Sequence, residues 1–317
     1  MKGIGGMESI LSLLLDNQIY LLLLAIIMVL SWAAKTYNVF VPVYAWIARK
    51  VKSKRLIVMI ISFLTGILPV SGRVAVSAGF LDTLAPPPTS EENKKKRQPF
   101  GIIDYLSTHL FYFWSPLEKT VLVPMAVLGL SYFAFLELIW PLLATGIIVV
   151  LVYIFGYLKE DDIEINIDRA KSEKPTKEET VAQFKIYVKT LIWVFFVIVL
   201  GNIINLYYDQ IQEFVEQYSS WGIIAAVLAG LIASFLLGSS SKFSGFVAIA
   251  TAIFGPVYLP LFFAFDYMGY MFSPVHKCMV IGREYFGTKW STYLTAVGIL
   301  TGSIAAVSIL LVLFQTT

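Results

Sequence analysis

The stretch Phe111-Tyr-Phe-Trp-Ser-Pro-Leu-Glu-Lys119 has an echo in Gly269-Tyr-Met-Phe-Ser-Pro-Val-His-Lys277. Tyr112 aligns with Tyr270, Trp114 with Phe272, Ser115-Pro116 with Ser273-Pro274 and Lys119 with Lys277, all 158 positions apart. Each copy lies inside a long apolar run. There a proline removes a backbone donor and disfavours helix at the residue before it. At membrane depth a broken helix is tolerated only where it is buried in protein or lines a cavity. Two such breaks in matching places of two halves are the sequence mark of a transporter's binding site.

The composition agrees with a membrane setting. Of 317 residues, 58% are apolar, 15% aromatic and only 14% charged, with a mean hydropathy of +0.76. Soluble domains run about a quarter charged and about half apolar, so an integral membrane protein is expected. A single cysteine, Cys278, excludes an intramolecular disulfide and any multi-cysteine metal site, and two histidines, His109 and His276, leave little for zinc. No Gly-rich phosphate loop or Ser-His-Asp signature is readable, so no enzyme activity, resident cofactor, metal or nucleic-acid partner is expected.

In chain order, Ile19 to Ala34 is apolar and is followed, not preceded, by basic residues, the reverse of a secretory signal. It predicts a membrane helix with the N-terminus outside. Lys35 to Arg55 holds six Lys/Arg and no acid, and is therefore cytoplasmic. Within it, Val39 to Ile47 is too short to span and is expected at the interface. Leu56–Leu68 and Val74–Ala85 flank Pro69-Val-Ser-Gly72. Each arm is roughly 20 Å as helix against ~30 Å of hydrocarbon, and basic segments lie on both sides. That predicts a re-entrant hairpin. Gly101–Gly129 is the first broken helix and Tyr132–Leu158 returns to the cytoplasm. The mixed-charge stretch 159–180 is a cytoplasmic linker between a first membrane repeat, 1–158, and a second, 181–317.

The second half repeats the plan upside down. Phe184–Leu206 crosses outward, and Asp209–Ser220, with three acids and no Lys/Arg, lies outside. Trp221–Leu237, a tip at Gly238–Gly245, and Phe246–Tyr258 form a second hairpin. Ser71-Gly-Arg-Val-Ala-Val76 aligns with Ser244-Gly-Phe-Val-Ala-Ile249. Leu261–Gly287 is the second broken helix, and Trp290–Leu313 returns outward, leaving the C-terminus outside. Of 24 Lys/Arg, 19 fall in cytoplasmic segments or helix ends facing them, and Lys2 in the outer tail. The other four, Arg73, Lys119, Lys242 and Lys277, lie at the hairpin tips and just after the breaks. The expected fold is thus an all-α polytopic membrane protein of two inverted repeats, each with helix, re-entrant hairpin, broken helix and helix.

An ionisable residue inside a membrane costs a few kcal/mol or more and is a functional candidate by default. Arg73 and Lys242, with Ser71, Gly72, Ser239, Ser240, Ser241 and Ser244 at the tips and Ser115 and Ser273 at the breaks, offer charge, hydroxyls and amides to a small anion. Alternatively, both cations pair with acids such as Asp82 or Asp266 and pin the hairpins. Glu118 and His276, at equivalent positions after the breaks, are a candidate proton-coupling pair or are local partners of Lys119 and Lys277. Asp266 is a candidate cation ligand, and Asp82 is kept with it among the ion-coupling residues. His109 is expected to be a hydrogen-bonded core residue. Asn202 and Asn205 are expected to make interhelical hydrogen bonds, and Tyr112, Trp114, Tyr270 and Phe272 to pack the broken helices.

Gly66 to Asp82, His109 to Glu118, Gly269 to Val280 and Glu284-Tyr-Phe-Gly287 resemble the domain-of-unknown-function family 401 of prokaryotic integral membrane proteins. That family is similar to the ion-transporter superfamily of gluconate, citrate, dicarboxylate and arsenite permeases. The resemblance covers about 66–153 and 238–287. It implies an inverted-repeat carrier of small anions in the cell membrane, working as a homodimer and coupled to Na⁺ or H⁺. The chain departs from the dicarboxylate carriers in lacking their Ser-Asn-Thr hairpin signatures. The resulting expectation is a secondary active transporter of a small organic anion, a symporter working by alternating access. An anion channel on the same scaffold, or a membrane-embedded enzyme or lipid-headgroup handler, stands as the alternative.

Overall fold

The computed structural model describes residues 41–67, 73–166 and 219–316, and isolated helical positions at Leu22, Ala25, Ile26, Val29, Val181, Lys185, Val188 and Ile192. The expected first span, the tip residues Ser71 and Gly72, the linker beyond Asn166, the crossing helix with Asn202 and Asn205, and nearly all of the outer segment after it lie outside the described residues, apart from those positions. Eleven α-helices and no strand occur among the described residues. They are α1 (Val41–Lys50), α2 (Lys54–Gly66), α3 (Arg73–Leu84), α4 (Glu91–His109), α5 (Lys119–Leu128) and α6 (Tyr132–Leu151). The second half supplies α7 (Ser219–Leu237), α8 (Ser240–Phe254), α9 (Leu259–Phe272), α10 (Lys277–Phe286) and α11 (Trp290–Thr316).

Helix boundaries follow local chemistry. Ser53, Ser90 and Ser131 cap α2, α4 and α6, each side chain accepting from a backbone N–H three residues on. Glu91 and Glu92 fill the first turn of α4, where the helix dipole favours acids. α5 and α10, ten residues each, both end on a left-handed glycine, Gly129 (φ 63°) and Gly287 (φ 66°). Those glycines keep the spacing of Tyr112 to Tyr270, and so do the starts of α6 and α11, at Tyr132 and Trp290. The spacing seen in nine residues of sequence is therefore kept by break, short helix, cap and the start of the long helix.

Packing is reciprocal between the halves. The hairpin arms α2 and α3 pack on each other, as do α7 and α8. Each first arm then lies along the pre-break helix of its own half, α2 on α4 and α7 on α9. Each second arm lies against the post-break helix of the other half, α3 on α10 and α8 on α5. α6 packs on α11. A continuous apolar core runs through this arrangement and includes Phe100, Phe113, Phe135, Phe243, Phe263 and Tyr267.

Two helical stretches, Tyr132–Tyr157 and Trp290–Gln315, are long and apolar enough to cross a membrane. Only 33% of each apolar window is buried, so most of their side chains face outward, as Phe133 (79% exposed) and Phe314 (79%) do. The first of them finishes in a π-helical turn, Val152–Tyr157.

One sequence expectation needs correction. The second hairpin's tip is shorter than Gly238–Gly245: only Gly238 and Ser239 leave the helix, so Lys242 and Ser244 sit in the first turns of α8. The start of the expected linker, 159–166, is held against α2 and α3. Glu160 accepts from the Lys54 N–H, Arg55 Nε and Ser53 Oγ, Lys54 Nζ donates to the Ile163 carbonyl, and the Asn166 N–H donates to Leu84. It closes the base of the first hairpin.

Candidate functional site

The site grows out of how the two breaks are repaired. A helix that stops at Ser-Pro leaves carbonyls that must find other donors when buried. At the first break α4 tightens into a 3₁₀ turn, Leu110–Phe113. Thr120 Oγ1 then donates to the Tyr112 carbonyl at 2.7 Å and Tyr132 Oη to the Trp114 carbonyl at 2.7 Å. At the second break Tyr105 Oη donates to the Met271 carbonyl at 3.0 Å. Both breaks close with the same turn: the Glu118 N–H donates to Ser115 at 2.9 Å, and the His276 N–H to Ser273 at 3.1 Å. Glu118 and His276 are thereby the N-cap residues of α5 and α10, both buried.

Each hairpin's first arm ends on the break of its own half. A methyl at Gly66 would run into the Phe111 ring. A methyl at Gly238 would lie 2.7 Å from Ser273 Oγ and 3.1 Å from the Val275 backbone. Gly238 also has φ 51°, so glycine is required there on both counts. Under this contact, Ser273 Oγ is fully buried and has no hydrogen-bond partner among the described residues. Ser115, its counterpart, is buried and accepts from the Leu117 N–H at 3.4 Å. Lys242 is half-buried one turn into α8, Ser244 is buried and Ser240 half-buried. Arg73 opens α3, but its side chain, like that of Ser241, lies outside the described residues.

Where the two halves meet, equivalent residues face each other. Tyr112 Oη and Tyr270 Oη are 2.8 Å apart, and Tyr267 Oη donates to the carbonyl of its equivalent, His109, at 3.5 Å. Beside them, His109 Nε2 lies 3.1 Å from His276 Nε2. The surroundings fix the tautomers. His109 Nδ1 is 2.6 Å from the Tyr105 carbonyl, which only accepts, and His276 Nδ1 is 3.1 Å from the Tyr270 carbonyl. The single Tyr105 phenol proton goes to Met271, so its oxygen accepts from His276 Nδ1 at 3.1 Å. Both Nδ1 atoms therefore carry hydrogen, and the two Nε2 lone pairs converge. One shared proton or one cation closes that contact.

His109, expected as a core residue, is thus half of a buried pair. Nine residues keep it from Glu118 on one helix, but the fold brings it to Glu118's counterpart in the other half. The histidines, thought too few for a metal, come together with Cys278: the three ligand atoms lie within 4.8 Å of one another. Asp266 is buried at 2% exposure against α7, where a methyl at Gly230 would lie 2.7 Å from its carboxyl carbon, and it forms no ion pair among the described residues.

Asp82 does not join the site. It pairs with Arg97, whose guanidinium also donates to the Pro86 carbonyl at 2.6 Å and the Tyr285 carbonyl at 2.7 Å. Nine helical residues, roughly 13 Å, separate Asp82 from Arg73 on α3. Asp104, not singled out in the sequence, is fully buried and accepts from Ser77 Oγ at 2.9 Å. An acid inside the apolar run Phe100–Trp114 was the signal for it. No protein-family model, curated protein sequence or solved structure matches the chain significantly.

Proposed function

We propose that the protein is a multi-pass cell-membrane secondary transporter of a small organic anion, built from two inverted repeats. The carrying observation is the seat of the second hairpin on the second break. There the buried Ser273 hydroxyl, without a hydrogen-bond partner among the described residues, lies against Gly238 at the head of α8. A buried hydroxyl in that state costs about 1–3 kcal/mol unless something polar reaches it. Directly after Gly238 in the chain come Ser239, Ser240 and the N-terminal amides of α8, with Lys242 in its first turn, a set suited to a carboxylate.

Three further observations support this reading. The apolar, outward-facing helices α6 and α11 suit lipid contact. The reciprocal packing of α3 on α10 and α8 on α5 is what a two-fold axis in the membrane plane produces, and Tyr112 meeting Tyr270 is what residues on that axis do. Arg73, at the head of α3, would supply the matching charge from the first tip, with Ser71 and Gly72. The buried titratable groups Glu118, Asp266 and His276 are the candidates for H⁺ or Na⁺ coupling. The sequence resemblance to carriers of small anions points the same way, and a homodimer follows from that resemblance alone.

The test is flux into proteoliposomes holding the purified protein, across a panel of carboxylates, sugar acids, phosphate, sulfate and arsenite. One anion should enter saturably, faster with an inward H⁺ or Na⁺ gradient. Arg73→Ala and Ser273→Ala, folded by thermal stability, should lose that flux. Current without saturation would mean a channel. No flux of any anion together with turnover of a lipid headgroup would replace the reading with the enzyme alternative.

A further inference from the structure

We infer that His109, His276 and Cys278 form a binding site for a borderline-soft divalent metal ion such as Zn²⁺, held between the two halves. Their ligand atoms lie within 4.8 Å of one another, and the two Nε2 atoms are 3.1 Å apart. Zinc bonds of about 2.0–2.1 Å to nitrogen and about 2.3 Å to sulfur place tetrahedral ligands roughly 3.3–3.6 Å apart. The nitrogens already stand near that separation, and the Cys278 sulfur lies within 4.8 Å of both.

The second observation is independent of the spacing. A metal-binding histidine holds its other ring N–H on a carbonyl or carboxylate, which fixes the tautomer and aims the lone pair. Both histidines do this, His109 on the Tyr105 carbonyl and His276 on the Tyr270 carbonyl, with Tyr105 Oη reinforcing the latter. Cys278 lies in the first turn of α10, where the helix dipole favours an anionic ligand. The site is buried, with His109 at 0%, His276 at 1% and Cys278 at 8% exposure. The chemistry of the set, two imidazoles and one thiolate, selects Zn²⁺ or Co²⁺ over Mg²⁺ or Ca²⁺. Three protein ligands leave a fourth position for water or another donor.

The inference shares His276 with the transport reading but does not rest on it. It needs only these three side chains, and its failure would leave an anion flux untouched. Because His109 comes from the first half and His276 and Cys278 from the second, a bound ion staples the halves across their meeting point.

The experiment uses the purified full-length chain in detergent, stripped with chelator and titrated with Zn²⁺ and Co²⁺. One ion per chain is expected. The Co²⁺ form should show the intense visible absorption of four-coordination and a thiolate charge-transfer band. Cys278→Ser should abolish that band, and His109→Ala should weaken binding at least about tenfold. Cys278 is the chain's single cysteine, so Zn²⁺ should also slow alkylation of the unmutated protein, a readout that holds even where a variant fails to fold. Absence of stoichiometric binding, a weak octahedral Co²⁺ spectrum without the thiolate band, or an unchanged alkylation rate would each overturn the site.

Discussion

Gly269 gives the sharpest test of the packing on which the second break depends. It lies on α9 directly against α7. A methyl there would meet the Leu231 carbonyl oxygen first, and would lie 2.9 Å from the carbonyl carbon and 3.1 Å from Cα. All three atoms are backbone, so no side-chain rotation relieves the clash. The helices must part by about 1 Å, and a gap of 0.5–1 Å forfeits a quarter to a half of each contact's attraction. Overpacking of this kind costs about 1–3 kcal/mol, against ~1 kcal/mol gained in helix propensity. Gly269→Ala should therefore lose up to about 2 kcal/mol net, a fall of up to roughly 8 °C in thermal midpoint for a chain of this size. Gly302 on α11 is the control, because a methyl there meets nothing within 4 Å. Gly302→Ala should be neutral or stabilising. Thermal unfolding of both variants in detergent decides the matter, and equal midpoints would refute the close approach of α7 and α9.

Other tests reach the remaining joints. In a double-mutant cycle, Tyr112→Phe and Tyr270→Phe should couple by about 1 kcal/mol, since each hydroxyl is the other's partner; additive losses would argue against the contact. Arg97→Ala should cost about 3 kcal/mol, because a buried guanidinium with acceptors in α3, α10 and the Pro86 loop disappears. Asp82→Asn should cost less, since Asp82 is 39% exposed, and the reverse order in unfolding midpoints would contradict this network. At Glu160, partial burial pushes the carboxyl up, but Arg55, the Lys54 N–H and Ser53 outweigh it and hold the carboxyl below the usual carboxylate range. The stabilisation is then present above the ordinary carboxylate value and lost as pH falls through the lowered one. Glu160→Gln should flatten the acid limb of the stability–pH curve, and an unchanged limb would exclude the clamp.

The repeated Ser-Pro steps determined a good deal by themselves. Proline alone does not mark a break, since Pro124 and Pro141 lie inside α5 and α6; the same Ser-Pro step recurring at one spacing made both breaks legible, and the apolar runs made the long helices so. The spacing between the copies was legible too, and it carried through to the glycine caps of α5 and α10. What the sequence left open was anything that depends on a partner from far along the chain. Asp82 and Arg97 are fifteen residues apart, yet only the fold of α3 against α4 turns them toward each other and away from the tips. The length of the second tip was misjudged because serines suit a loop and a helix start equally well, and the packing of α8 on α5 decides in favour of helix. His109 and His276 are 167 residues apart. Each alone reads as a core histidine; only the crossing of two broken helices, with every Nδ1 hydrogen committed to a carbonyl, makes them a pair with Cys278 beside it. Local chemistry determined where the helices break, while long-range packing decided what the breaks hold.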